Sequence, residues 1–337
     1  MSETVAEFMQ KPVKKYACGK KAQSAKKVLA KAFVSSSKTD KAQEAAYFKE
    51  IVDTVMKTEK GRETMTALAE LGYTFHFENM KDTKGFCIPG QKKILINPLP
   101  KGDIFAQMQA LVHEGTHAIQ CSFAKEDSLD FKRMKPVDYI KMKRAMEADA
   151  SAHEMAYLYE CGKTFSNDPR FQSMEFLDFW KNTAVYRAYA GEMEKSGDDT
   201  GAMKSAFSAW YKDDFYMNGY ENLFKGEIRD ICEKGKAEHD ATFLTQSYPD
   251  KDILKMVCYK GKPYVGARDI NAGVAFSLSE QNKREMEACI QEYAKAVGKK
   301  PDTSLSAMRE RAADGKLLPE KKAVKAAIAA KSGRGGR

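Results

Sequence analysis

Long apolar runs are missing from this chain of 337 residues. No stretch approaches the roughly 18 uncharged apolar residues that a membrane span needs, which excludes a transmembrane protein. Cysteine is sparse: seven residues (18, 87, 121, 161, 232, 258 and 289), an odd number with no C-x-x-C pair. That pattern suits reduced thiols in a cytoplasm better than a disulfide framework. The opening residues, MSETVAEFMQKPVKKYACGKK, have no apolar segment after a basic start, so a secretory leader is not expected. They lack Arg and carry Glu3 and Glu7, which argues against a transit peptide. The expectations are cytoplasmic residence and no membrane partner. Histidine is scarce as well, with only five residues.

What is present excludes wholesale disorder. Hydrophobic residues make up 43% of the chain, including 18 Phe and 15 Tyr, ample material for a packed core. The net charge of +9 suggests nucleic acid until it is located. Residues 1–32 carry +6 and residues 314–337 carry +5, which leaves −2 for the middle. Basic ends can attract phosphates through counterion release. Without aromatic interleaving or a nucleic-acid-binding fold, specific nucleic-acid recognition is not expected.

Periodicity divides the chain. Residues 1–40 read as a basic flexible arm or a loosely held helix. From Lys41 to Leu71, Ala45, Phe48, Ile51, Val52, Val55 and Met56 recur at helical spacing, and a second helix continues after Gly61. Gly72 ends it, and Tyr73, Phe75 and Phe77 then alternate as in a half-buried strand. GFCI, the turn Pro89-Gly90-Gln91 and KKILIN read as a hairpin. Asp103 is a candidate N-cap for a helix through IFAQMQALVHEGTHAIQ, and Pro136 opens another that ends near Gly162. Beyond that the reading is helical and aromatic-rich (FLDFW, FSAWYKDDFY, YENLF), followed by a short hairpin, KMVCY–KGK–PYV. Ser277 and Glu280 suggest a capping box for a helix reaching Val297. The expected divisions are an arm at 1–40, a core at 41–165, a mainly helical extension at 166–300 and a basic, disordered tail at 301–337. No internal repeat is evident. The expected fold class is α+β, predominantly helical.

One motif carries chemistry. His113-Glu114-Gly115-Thr116-His117 is H-E-x-x-H, for which chance predicts about 0.005 matches in a chain this poor in histidine. Residues four apart stack on one face of a helix, so both imidazoles can reach one ion. The Glu between them can take a proton from metal-activated water. Ile104, Met108, Leu111, Val112, Gly115 and Ile119 form a core stripe, and Gln109, His113, His117 and Gln120 share the adjacent face. A catalytic zinc needs a third protein ligand. The continuation H-x-x-G-x-x-H is absent, so an acidic ligand further on is expected. The helix at 137–160 offers Glu147, Asp149, His153 and Glu154. Periodicity places Asp149 and His153 nearest the core and Glu147 on the adjacent face with Ala150, Ser151 and Glu154. Spacing alone does not choose among them.

LVHEGTHAIQ followed by EADASAHE resembles the gluzincin arrangement of H-E-x-x-H on one helix and a ligand Glu on the next. It is similar to the minimal ImmA/IrrE-type peptidases, whose second helix reads E-x-x-A, and to a bacterial family of metallopeptidases of unassigned function. The resemblance covers about residues 45–160. It implies a zincin-like core of helix, small antiparallel sheet, H-E-x-x-H helix and Glu-bearing helix, followed by a helical region. Glu147 with Ala150 matches E-x-x-A, which makes Glu147 the implied third ligand beside His113 and His117, with Glu114 as catalytic base. It also implies that the strand around Lys93–Asn97 lies at the sheet edge, where an extended peptide could pair; the alternative is an ordinary covered strand. Ser151 departs from the Asp common in larger gluzincins, and Asp149 or Glu154 could take over its role of orienting a histidine. His239, Tyr216, Tyr220 and Tyr157 are candidate oxyanion donors. The expected function is zinc-dependent hydrolysis of a peptide or protein substrate. The competing expectation is a non-catalytic, metal-stabilised interaction protein whose basic tails dock acidic partners or nucleic acid.

Overall fold

The computed structural model describes residues 20–35, 40–81, 83–98, 104–123, 130–168, 181–312 and 316–318. Asp103, the FLDFW stretch, residues 1–19 of the arm and residues 319–337 of the tail lie outside the described residues. The fold is α+β and predominantly helical, as expected. It separates into two compact units, each discontinuous in sequence. The first comprises Met1–Ser128, Met146–Trp210 and Leu254–Val265; the second comprises Leu129–Ala145, Tyr211–Ile253 and Gly266–Arg337. No helix among the described residues is long and apolar enough to cross a membrane.

In the first unit, α1 (Lys20–Ala32) occupies the end of the stretch read as an arm, and Leu29 on it is fully buried. Helix α2 (Lys41–Val55) buries Phe48, Ile51, Val52 and Val55, the apolar positions of its stripe. Helix α3 (Glu59–Leu71) starts at Thr58, whose hydroxyl accepts the Gly61 amide at 3.0 Å, and stops at Gly72 with φ 73°. The break therefore precedes Gly61 rather than following it. Gly61 sits inside the first turn of α3, where a Cβ would lie 2.0 Å from the Val55 carbonyl oxygen. Close approach, not helix breaking, accounts for that glycine.

Strands β1 (Thr74–Phe77), β2 (Gly85–Ile88) and β3 (Lys93–Ile96) form one sheet in the order β1-β3-β2. The β2–β3 hairpin is antiparallel and turns through Pro89–Gln91, as its turn residues predict. β1 pairs with β3 in parallel, so the sheet is mixed where an antiparallel one was implied. Alternation reports which face is buried but not strand direction. Phe75, Phe77, Ile94 and Ile96 face the core, with Phe75 packed on Phe48 at a ring separation of 5.1 Å. β3 is thus the central strand, paired on both sides, and cannot be the sheet edge at which a peptide would add; β2 is an edge strand.

Helix α4 (Ile104–Phe123) follows, and then α5 (Pro136–Thr164), a 29-residue helix that begins at Pro136 as expected. From Met146 onward α5 belongs to the first unit. Helices α6 (Ala184–Ser196) and α7 (Asp199–Trp210) pack together, burying Val185, Tyr189, Met203, Phe207 and Trp210. The unit closes with a hairpin of β4 (Cys258–Tyr259) and β5 (Lys262–Pro263), also legible in the sequence. Asp199 anchors that hairpin: it accepts from the Tyr259 hydroxyl, from Lys60 at 3.0 Å, from Lys260 at 3.1 Å and from Tyr189 at 2.7 Å.

In the second unit, α8 (Asp214–Glu238) is capped by Asp213 and packs on α11 (Glu280–Ala296); α10 (Ala267–Asn271) is short, as is α9 (Asp250–Met256), which from Leu254 onward belongs to the first unit. The cap of α11 is Ser279, whose hydroxyl accepts the Asn282 amide at 3.3 Å, and not Ser277. Ser277 lies in β6 (Ser277–Ser279), paired in parallel with β7 (Arg309–Arg311). The unit's interior is ionic as well as apolar. Glu221 accepts from Arg144 at 2.8 Å and Arg311 at 3.0 Å, and all three are almost fully buried. The other carboxylate oxygen takes the Ser279 amide and the Asn282 side chain, so no lone pair of Glu221 faces the core unmet.

Candidate metal centre

Both histidines come from one turn of α4, with ring centroids 4.9 Å apart. The third residue of the motif is glycine for a steric reason. A Cβ on Gly115 would lie 2.7 Å from Thr64 Cγ2 and 3.0 Å from Leu68 Cδ1, so its absence lets α3 press directly against α4. The opposite face of α4 carries the imidazoles toward α5, where Glu147 projects between them. Its Oε2 lies 3.4 Å from His113 Nε2 and 3.5 Å from His117 Nε2. One donor atom from each of the three residues falls within 4.8 Å of the others, and this is the one such group of three among the described residues.

Charge follows geometry. Burial disfavours charge on every member, yet the mutual contacts override it. Glu147 is held well below the usual carboxylate range by the two histidines. His113 is raised well above 6.5 by its bonds to Glu147 and Glu154, and His117 is raised by Glu147. Glu114 behaves differently. Burial raises its pKa, the nearby histidines pull it part of the way back, and the Cys87 backbone N–H donates to its carboxylate. A Cβ on Gly85 would fall 2.7 Å from Glu114 Cγ, so β2 lies directly against this side chain.

The remaining sequence candidates take separate places. Glu154 does not join the group; its Oε2 receives His113 Nδ1–H at 2.9 Å, and its Oε1 accepts from the Gln109 amide. Asp149 is fully buried, accepts Gln120 Nε2 at 2.7 Å and the Tyr264 hydroxyl at 2.7 Å, and is pushed up to about 7 by burial. His153 faces the Cys258 carbonyl at 3.3 Å, and burial lowers it to about 4, leaving it neutral. Ser151 Oγ is buried and makes no hydrogen bond among the described residues. Tyr157 is buried within α5, while Tyr216, Tyr220 and His239 belong to the second unit.

Several contributors escaped the sequence reading. Gln109 and Gln120 were placed on the histidine face, but nothing assigned them partners. Gly85 and Cys87 reach Glu114 from a strand almost thirty residues earlier. Tyr264 reaches Asp149 across 115 residues, a separation at which no local pattern exists.

An α+β protein carrying two histidines and a glutamate in this arrangement, with a second glutamate beside them, has the donor set of a metal-dependent hydrolase. Comparison with known families gives the affiliation: residues 22–265 match the Putative metallopeptidase family (DUF6782), and the chain belongs to it. Neither the curated proteins nor the solved structures yielded a match.

Proposed function

We propose that this chain is a zinc-dependent peptidase in which His113, His117 and Glu147 hold the metal and Glu114 is the general base. The observation that carries this reading is the convergence of two imidazole nitrogens and one carboxylate oxygen within 4.8 Å. The chemistry of the set fits zinc: two imidazoles and a carboxylate are ligands of catalytic sites that keep a fourth position open. Glu147, held in its charged form by the two histidines, is the anionic ligand that a dication favours. Bound there, zinc would supply Lewis acidity and bring water toward a pKa of roughly 7.

Glu114 handles the proton. Its carboxylate takes one from the attacking water and delivers it to the departing amine nitrogen. The Cys87 amide anchors that carboxylate, and its pKa, raised by burial, suits a group that must both accept and release a proton. A peptide substrate is favoured by β2, an edge strand beside the base whose backbone an extended chain could join.

Metal analysis tests the reading. Purified protein is expected to carry stoichiometric zinc and His113→Ala none; zinc in both, or in neither, overturns it. Glu114→Gln is expected to keep the metal and lose about 10²–10⁴-fold in hydrolysis of a fluorogenic peptide library.

A further inference from the structure

We infer that Gln120, with Asp149 and Tyr264 behind it, is a positioning system that fixes the tautomer and aim of His117, and through it the affinity of the metal site. The inference rests on the reading of His113, His117 and Glu147 as the metal site and adds residues that the reading leaves without a role.

The Met146 backbone carbonyl can only accept hydrogen bonds. Gln120 Nε2 lies 2.9 Å from it and 2.7 Å from Asp149 Oδ2. The carbonyl demands a donor, so the amide can stand only one way round, with Oε1 toward His117. Gln120 Oε1 lies 2.9 Å from His117 Nδ1. An amide oxygen cannot donate, so His117 must carry a proton on Nδ1. A neutral His117 then presents the lone pair of Nε2, the atom 3.5 Å from Glu147 Oε2. The tautomer a metal needs is imposed by a carbonyl that reaches His117 through one side chain, Gln120.

Asp149 is the second anchor of that amide, and it is itself oriented. Tyr264 donates to its Oδ1 at 2.7 Å from the end of the β4–β5 hairpin. That hairpin is held independently by the contacts of Tyr259 and Lys260 with Asp199, so removing the Tyr264 hydroxyl loosens Asp149 without freeing the segment. The two histidines therefore have unequal supports: His113 leans on a carboxylate, His117 on a neutral amide whose polarity is set elsewhere.

Cobalt(II), titrated into metal-free full-length protein in competition with a chromophoric chelator, tests this with Gln120→Met and Tyr264→Phe. Each is expected to weaken cobalt binding by about tenfold, the low end of what outer contacts at metal sites contribute. The visible bands of the cobalt-saturated Gln120→Met protein should also shift, while metal-free Tyr264→Phe, which loses one buried hydrogen bond, keeps the wild-type far-ultraviolet circular dichroism. Wild-type cobalt affinity and bands in both variants overturn the inference. If Gln120→Met does not fold, Tyr264→Phe decides by itself. Failure of the underlying reading looks different: wild-type protein would then take up no stoichiometric cobalt.

Discussion

Glu114 is held against one strand, β2, by the Cys87 amide and by a close approach possible only because residue 85 has no side chain. Gly85→Ala puts a methyl group where the Glu114 methylene now lies. Metal content should be unchanged, because no donor atom moves with it, while turnover falls by about tenfold to a hundredfold, the cost of misaiming a catalytic group by a fraction of an ångström to an ångström. Peptide hydrolysis and zinc content measured on the same preparation check this; lost zinc with lost turnover would instead mean that the whole site had collapsed. Glu154 gives the complementary case. It was one of four candidate ligands in the sequence, yet its oxygens are taken by His113 and Gln109. Glu154→Gln should weaken zinc binding by about 10- to 100-fold without abolishing stoichiometric uptake at saturation. Competition with a chelator would show it, and complete loss of zinc would instead make Glu154 a ligand.

At the scale of elements, the site depends on how closely α3, α4 and α5 approach. Gly115 lies at the α3–α4 contact, and Gly115→Val would drive branched carbon into Thr64 and Leu68. A loss of about 1–3 kcal/mol is expected in denaturant unfolding, the usual cost of overpacking. Unchanged stability would mean that α3 can retreat freely. In α5, periodicity does not single out Glu147 as the candidate ligand. Between Arg144 and Leu158 every residue except His153 is buried, so the helix has no wet side from which a core stripe could be recognised. Glu147, Asp149 and Glu154 are all buried polar residues there, and only their partners on α4 and on the hairpin distinguish them. The helices and the β2–β3 hairpin were legible because caps, proline and turn residues act locally. The parallel pairing of β1 was not, since alternation is the same for both strand directions.

At the scale of the whole molecule, the family match ends at residue 265, which is also the last residue of the first unit. The metal group and all its supports lie within that unit. The second unit has its own weak point in Glu221. Burial alone would raise this carboxyl, but Arg144 and Arg311 lower it below the ordinary 4.5. A carboxylate depressed in the folded state adds stability that is fully present above pH 4.5 and is lost as pH falls through the folded value. Thermal unfolding followed by a probe in α8 or α11 should therefore weaken below about pH 4.5. Glu221→Gln should remove that acid-side dependence and cost about 3–5 kcal/mol at neutral pH, because two guanidinium groups lose their counter-charge in the interior. A variant as stable as wild type at pH 7 would mean that water or another anion reaches the arginines.

The sequence alone determined what depends on neighbours along the chain. The i, i+4 spacing of His113 and His117 puts two imidazoles on one face of any helix they occupy, whatever that helix packs against, and Glu114 travels with them. Tertiary structure decided everything that depends on which surfaces meet: that Glu147 rather than Asp149 or His153 stands between the imidazoles, that β2 rather than β3 is an edge strand beside Glu114, and that a tyrosine 115 residues from Asp149 completes its hydrogen bonds. Helical periodicity repeats every 3.6 residues and specifies a direction from the axis. It does not specify what waits in that direction, and for a helix buried all round, that is the whole of the question.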